Sequence, residues 1–179
     1  MTLSFTNGKW FPFFFAFTCA LFISCDNSDF EHENKFDRSY QAWLDFKEAS
    51  GDSYRYQVRS SSWTGTSSET TITVTDGLVT QRHYKITSTH GMLNVPKEAL
   101  EWTENKGEIN SHQNAGAVGA LTLEEVYEKA RSEWLVKDQN AKTYFEADNK
   151  GMISLCGYVE DGCQDDCFVG INISFIEGL

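Results

Sequence analysis

The chain is short of proline, glycine and basic side chains, and it carries none of the common catalytic signatures. Its 179 residues include 2 Pro and 13 Gly, too few for a collagen-like repeat or a Pro-rich linker. Hydrophobic residues make up 40% and aromatics 14%, which excludes a wholly disordered chain. Lys and Arg number 15 against 26 Asp and Glu, a net charge of -11. Phosphate recognition needs clustered Lys and Arg, so no nucleic-acid partner is expected. There is no His-Glu-x-x-His, no Gly-x-Ser-x-Gly and no P-loop. His32, His83, His90 and His112 show no metal or catalytic spacing, and His83 reads as a surface or half-buried strand residue.

What is present begins with a distinct leader. Residues 1–24 hold seven of the 13 Phe, Lys9 as their single charge, and no acid. The apolar run from Trp10 to Ile23 would span about 21 Å as a helix, short of the roughly 30 Å hydrocarbon core. A secretory signal peptide therefore fits better than a membrane-spanning helix. The run ends in Phe22-Ile23-Ser24-Cys25. This resembles the lipobox of bacterial lipoproteins, with Phe in place of the usual Leu. The resemblance implies lipid attachment to Cys25, cleavage before it, and acylation of the new amine. Several acyl chains would hold the protein stably at a membrane, where one would not. The plainer alternative is an ordinary cleaved signal with an incidental cysteine.

Cleavage removes Lys9 and no acid, so the mature chain is more acidic still, and its length suits one domain. Residues 25–37, opening on Asp26, Asp29, Glu31 and Glu33, read as an acidic tether, and 38–179 as one domain. Among lipoproteins, acidic residues after the lipidated cysteine imply either inner-membrane retention or export to the cell surface. The outer membrane or cell surface is the expected location, with the inner membrane as the alternative.

Within the domain, apolar spacing of three and four at Tyr40, Trp43, Leu44 and Phe46 predicts a helix over 39–49, stopped by Gly51. Tyr54, Tyr56 and Val58 alternate with Arg55, Gln57 and Arg59, which marks a half-buried strand. Residues 60–68 read as a strand end and loop, 70–75 as a second strand, and Asp76-Gly77 as a tight hairpin into a strand over 78–87. Residues 89–119 read as a long excursion: a short helical turn after Pro96, a turn at 105–107 and a small-residue loop over 114–119. Thr122-Leu123-Glu124-Glu125 is a capping box opening a helix to about Trp134. Strands follow over 143–147, 152–159 and 168–176. The expected fold is α+β, a single antiparallel β-sheet with two helices packed on one face.

Three features bear on chemistry. Cys156, Cys163 and Cys167 allow one disulfide in an oxidising compartment. Cys156 with Cys167 is the favoured pair, closing the base of a hairpin. Cys163 with Cys167 is the alternative if that segment makes one helical turn. A zinc site lacks a fourth ligand, and a redox role lacks Cys-x-x-Cys. Asp161, Asp165 and Asp166 crowd an acidic loop where Ca²⁺ would relieve repulsion. The simpler reading is a solvated turn with Asp166 capping local amides. Trp63, Trp102 and Trp134 are candidates to line a sugar-binding groove, or else belong to the core.

The order of Trp43, the 54–56 strand, Val74-Thr75-Asp76-Gly77-Leu78-Val79, the 122–127 helix start and the 144–153 strand-turn-strand resembles the domain-of-unknown-function family 6174 of exported bacterial proteins. At Gly151-Met152-Ile153 the chain departs from the Gly-x-Pro of that family. The resemblance implies a fold and an exported location, and it assigns no catalytic residue. The expected function is a lipid-anchored envelope module that binds or scaffolds an envelope partner, without a cofactor unless calcium is one. The rivals are an envelope hydrolase using Asp165, Asp166 or a histidine of the long excursion, and a calcium- or carbohydrate-binding module.

Overall fold

The computed structural model describes residues 1–2, 30, 32–90, 92, 94–112, 116–136 and 138–179. Cys25, nearly all of the leader and the first part of the acidic tether lie outside the described residues.

Helix α1 (Glu33–Ala49) leads into strands β1 (Tyr54–Ser61), β2 (Thr66–Thr75) and β3 (Leu78–Thr89). A single helical turn, α2 (Lys97–Leu100), precedes β4 (Glu101–Asn105). Helix α3 (Leu123–Lys129) runs on into a π-helical turn (Ala130–Trp134), and β5 (Ala141–Glu146), β6 (Leu155–Glu160) and β7 (Val169–Gly178) complete the chain. The strands form one antiparallel sheet in the order β4-β3-β2-β1-β7-β6-β5. The α+β expectation of a single antiparallel sheet holds, with α2 as an additional short helix.

The local causes are those of the residue pattern. Asp76 and Gly77 both take positive φ, 50° and 74°, as a tight primed turn between β2 and β3 requires. Thr122 caps α3: its hydroxyl accepts from the Glu125 amide at 3.2 Å, and its own amide donates to the Glu125 carboxylate at 2.7 Å. Along β1 the side chains of Tyr54, Tyr56 and Val58 turn inward; on β2, Ile72 and Val74 do the same.

Helices α1 and α3 cover one half of this inner face. Trp43 and Tyr127 are fully buried with Tyr54 between the layers, ring centroids 5.2 Å apart for Trp43 and Tyr54. Buried phenols stitch the layers together. The Tyr54 hydroxyl accepts from the Leu123 amide at 2.8 Å, and the Tyr56 hydroxyl donates to the Leu121 carbonyl at 2.6 Å. The Tyr127 hydroxyl donates to the Ser39 carbonyl at 2.9 Å and accepts from the Ile153 amide at 3.2 Å. Burial pushes the Tyr127 phenol up to about 12. The opposite face of the sheet is polar, with Glu101, Lys85, Glu69 and Arg59 in register across four strands.

Three segments differ from the sequence reading. Helix α1 starts at Glu33, so part of the supposed tether is helical; Phe36 anchors that end against Phe30 and Tyr127, at 5.2 and 5.7 Å. Met152 and Ile153 are buried after a turn, and β6 begins only at Leu155. The long excursion contains the edge strand β4, whose inward residue is the charged Glu104.

Candidate functional site

The half of the inner sheet face that α1 and α3 leave uncovered forms a groove of about 860 Å³. Its floor comes from β1, β2 and β3, with Val58, Ser68, Tyr84 and Ile86 among the lining residues. Two walls rise from it, and each is held by its own set of contacts.

The first wall carries Met92, Val95, Ala99, Gly116 and Val118. It is fixed by a buried ion pair. Arg82 and Glu104 face each other in register on β3 and β4, and both are almost wholly buried. The guanidinium meets the carboxylate twice, Nε to Oε2 at 2.8 Å and Nη2 to Oε1 at 3.0 Å. Glu104 also accepts from the Asn110 amide at 2.8 Å, the His112 amide at 2.6 Å and the Ser111 hydroxyl at 3.1 Å. Arg82 donates onward to the carbonyls of His112 and Val118, at 2.7 and 3.2 Å. A buried charge pair is tolerated only when its remaining donors and acceptors are satisfied, and here they are. Burial alone would raise the Glu104 carboxyl; the His112 amide, the Arg82 guanidinium, the Asn110 amide and the His112 ring outweigh it and hold it at about 2. The result is that residues 110–112 and Val118, the two described ends of a strap, are pinned to the sheet.

The second wall carries Asp166, Cys167 and Phe168. The disulfide joins Cys163 to Cys167, with Cα atoms 6.0 Å apart. The favoured pairing of Cys156 with Cys167 is thereby corrected. Cys156 sits inward on β6 opposite Ile171, buried in the core, while Cys167 stays in the loop before β7. Burial pushes the Cys156 thiol up, so it is an inert core residue. Asp166 ties this loop to the tip of the β1–β2 hairpin. Its carboxylate accepts from the Ser62 hydroxyl at 2.7 Å and the Trp63 amide at 3.0 Å. Phe168 lies over the paired glycines of β6 and β7: a Cβ on Gly157 would fall 2.6 Å from its ring and 2.3 Å from the Val169 carbonyl oxygen.

Two floor hydroxyls distinguish this groove from an apolar crease. Ser68 is 7% exposed and Tyr84 is 3% exposed. Neither side-chain hydroxyl has a hydrogen-bond partner among the described residues, and both residues line the groove. Every buried side-chain polar atom among the described residues is paired, so these two unpartnered oxygens are the solvent-accessible ends of otherwise buried residues, open to the groove. The sequence reading left Ser68 in the 60–68 loop, whereas β2 begins at Thr66, and it placed Tyr84 on the return strand without saying which way it faces.

The other sequence candidates are distributed elsewhere. Asp161 and Asp165 are exposed in the loop beside Asp166, and no group of three metal-ligating side chains occurs among the described residues. Asp166 caps the distant Ser62-Trp63 turn rather than amides of its own loop. The three tryptophans do not share a surface. Trp134 is buried in the core, and Trp102 is stacked on His112 and Tyr84 at 4.3 and 5.2 Å. Trp63 is 72% exposed at the hairpin tip. The histidines are equally scattered: His83 pairs with Glu101 on the outer face, His112 with Glu104, and His32 reaches the Thr143 carbonyl. No histidine lines the groove, and Arg59 at its edge pairs with Glu69. The chain matches no protein-family model, no curated protein and no solved structure.

Proposed function

We propose that the protein is an exported, lipid-anchored envelope module that binds a ligand in the groove between the strap and the disulfide loop. The anchor rests on Phe22-Ile23-Ser24-Cys25, and the exported location is also what the resemblance to family 6174 implies. The observation that carries the binding role is the groove itself, with apolar walls and two unpartnered hydroxyls open to it on its floor. Convergent polar groups in an apolar cleft orient a ligand, while the walls supply the burial that holds it. The hydrolase reading has no comparable support. No histidine lines the groove with its serines: His90, the nearest by its contacts with Gly65 and Thr66, lies outside the lining, and the Asp166 carboxylate is occupied by a hairpin turn.

Two measurements test the two halves of this reading. The intact mass of the native, detergent-extracted protein is expected to show a lipid increment on a chain beginning at Cys25. Alkylation under denaturing conditions should find one free thiol before reduction and three after it. An unlipidated chain beginning elsewhere would contradict the anchor. For the groove, the neutral apolar dye Nile red is expected to brighten on the wild-type protein and to lose that response in Ser68→Trp. Thr71→Trp, on the outer face of β2, should retain it. Equal responses from both variants would contradict the groove as the binding site.

A further inference from the structure

We infer that the occupant of the groove is an extended segment of a partner polypeptide that carries cationic side chains next to apolar ones. The inference rests on the groove being a binding site, and it goes further by naming what binds.

Three observations carry it. The first is the lining. Val58, Ile86, Met92, Val95 and Phe168 present apolar surface, while the Ser68 and Tyr84 hydroxyls, without a protein partner, open onto the groove from its floor. A peptide backbone offers alternating amides and carbonyls to such hydroxyls, and its side chains offer apolar groups to the walls. A Cβ on Gly116 would lie 3.7 Å from the Tyr84 hydroxyl oxygen, so the phenol ends beside the strap, where a backbone can reach it.

The second is charge. The disulfide loop that forms one wall carries Glu160, Asp161 and Asp165 in exposed positions, and none of the three makes an ion pair among the described residues. The lining basic residue, Arg59, is paired with Glu69. An anionic ligand would therefore meet uncompensated repulsion, and a cationic one would be steered inward. The molecule as a whole has the same sign, at -11.

The third is what the groove does not offer. Sugar recognition relies on a broad aromatic platform, and of the lining rings Tyr84 is buried against Trp102, leaving Phe168, 38% exposed and packed against Gly157, as a single ring. Trp63 is exposed, but it stands at the hairpin tip outside the lining. A polypeptide with cationic side chains satisfies all three observations, whereas a neutral oligosaccharide gains nothing from the acidic wall.

The test uses the full-length lipoprotein in neutral phosphatidylcholine nanodiscs, with empty discs as background. The probes are fluorescently labelled synthetic peptides in which Val and Leu alternate with Lys, with Ser or with Glu, read by anisotropy. The Lys peptide is expected to bind about tenfold more tightly than the Ser peptide, a difference of about 1.4 kcal/mol, and the Glu peptide not to bind. Asp161→Asn with Asp165→Asn should bring the Lys peptide to the affinity of the Ser peptide. Raised salt should do the same, since exposed charges are screened. Asn172→Trp, at an exposed lining position, should abolish binding of both without disturbing the buried floor. Equal affinity for the three peptides, preference for Glu, or binding that survives Asn172→Trp would overturn the proposal. Nile red binding without binding of any peptide would overturn the peptide class and leave the groove standing. Failure of dye and peptides alike would overturn both.

Discussion

Glu104 shows how much of this molecule depends on single polar residues placed where apolar ones are usual. Its carboxylate is wholly buried and is matched by Arg82 across β3 and β4. Its folded-state value, about 2 against 4.5 for an ordinary glutamate, means that the native state favours the charged form. That contribution to stability is present above about pH 4.5 and is lost as pH falls toward 2, on the order of 3 kcal/mol in total. Glu104→Gln is expected to destabilise the protein by about 3–5 kcal/mol at neutral pH, because it strands the Arg82 charge. The deficit should shrink as the pH of a denaturant titration is lowered through that window, since the wild type then loses the same contribution. A pH-independent deficit would contradict the assignment. The sequence could not reveal this pair. Periodicity finds apolar positions that face inward, and here the inward positions of two neighbouring strands are charged. Tyr54, Tyr56, Ile72 and Val74 were legible for the opposite reason, because they follow the alternation without exception.

At the scale of elements, turns and caps were the most legible parts, since each is a short local signature with a single physical cause. Asp76-Gly77 and the Thr122 capping box are both formed as the residues demand. Edge strand β4 was hidden by its short length and by Glu104. The early start of α1 was hidden because the anchoring partners of Phe36, among them Tyr127, are distant in sequence. The disulfide pairing depended on register: Cys156 stands opposite Ile171, a relation no spacing rule supplies. The bond between Cys163 and Cys167 closes a very short loop, so its stabilising effect is expected to be modest, about 2 kcal/mol. Its local effect should be larger. Cys167→Ser is expected to leave the fold intact, to speed hydrogen exchange of the Trp63 amide that Asp166 now holds, and to weaken Nile red binding. Unchanged exchange at Trp63 would show that the wall stands without the bond.

The whole molecule places a sheet that two helices cover only in part behind a leader that we propose to be a membrane address. The fold class was open to sequence reasoning, because an alternating strand is a contiguous pattern. The groove was not, because it is defined by what the helices fail to reach and by two walls from distant parts of the chain. Its role as a binding site is the central claim, and site-specific photo-crosslinking of the protein in its native cell tests it most directly. A photoreactive benzoylphenylalanine replaces Ile86 in the groove or, as the control, His83 on the outer face of the same strand. Position 86 is expected to yield a discrete adduct, with mass spectrometry of the crosslinked fragment identifying a polypeptide segment rich in apolar and basic residues, and position 83 none. Crosslinking of equal yield at both positions, or none at position 86, would contradict the account.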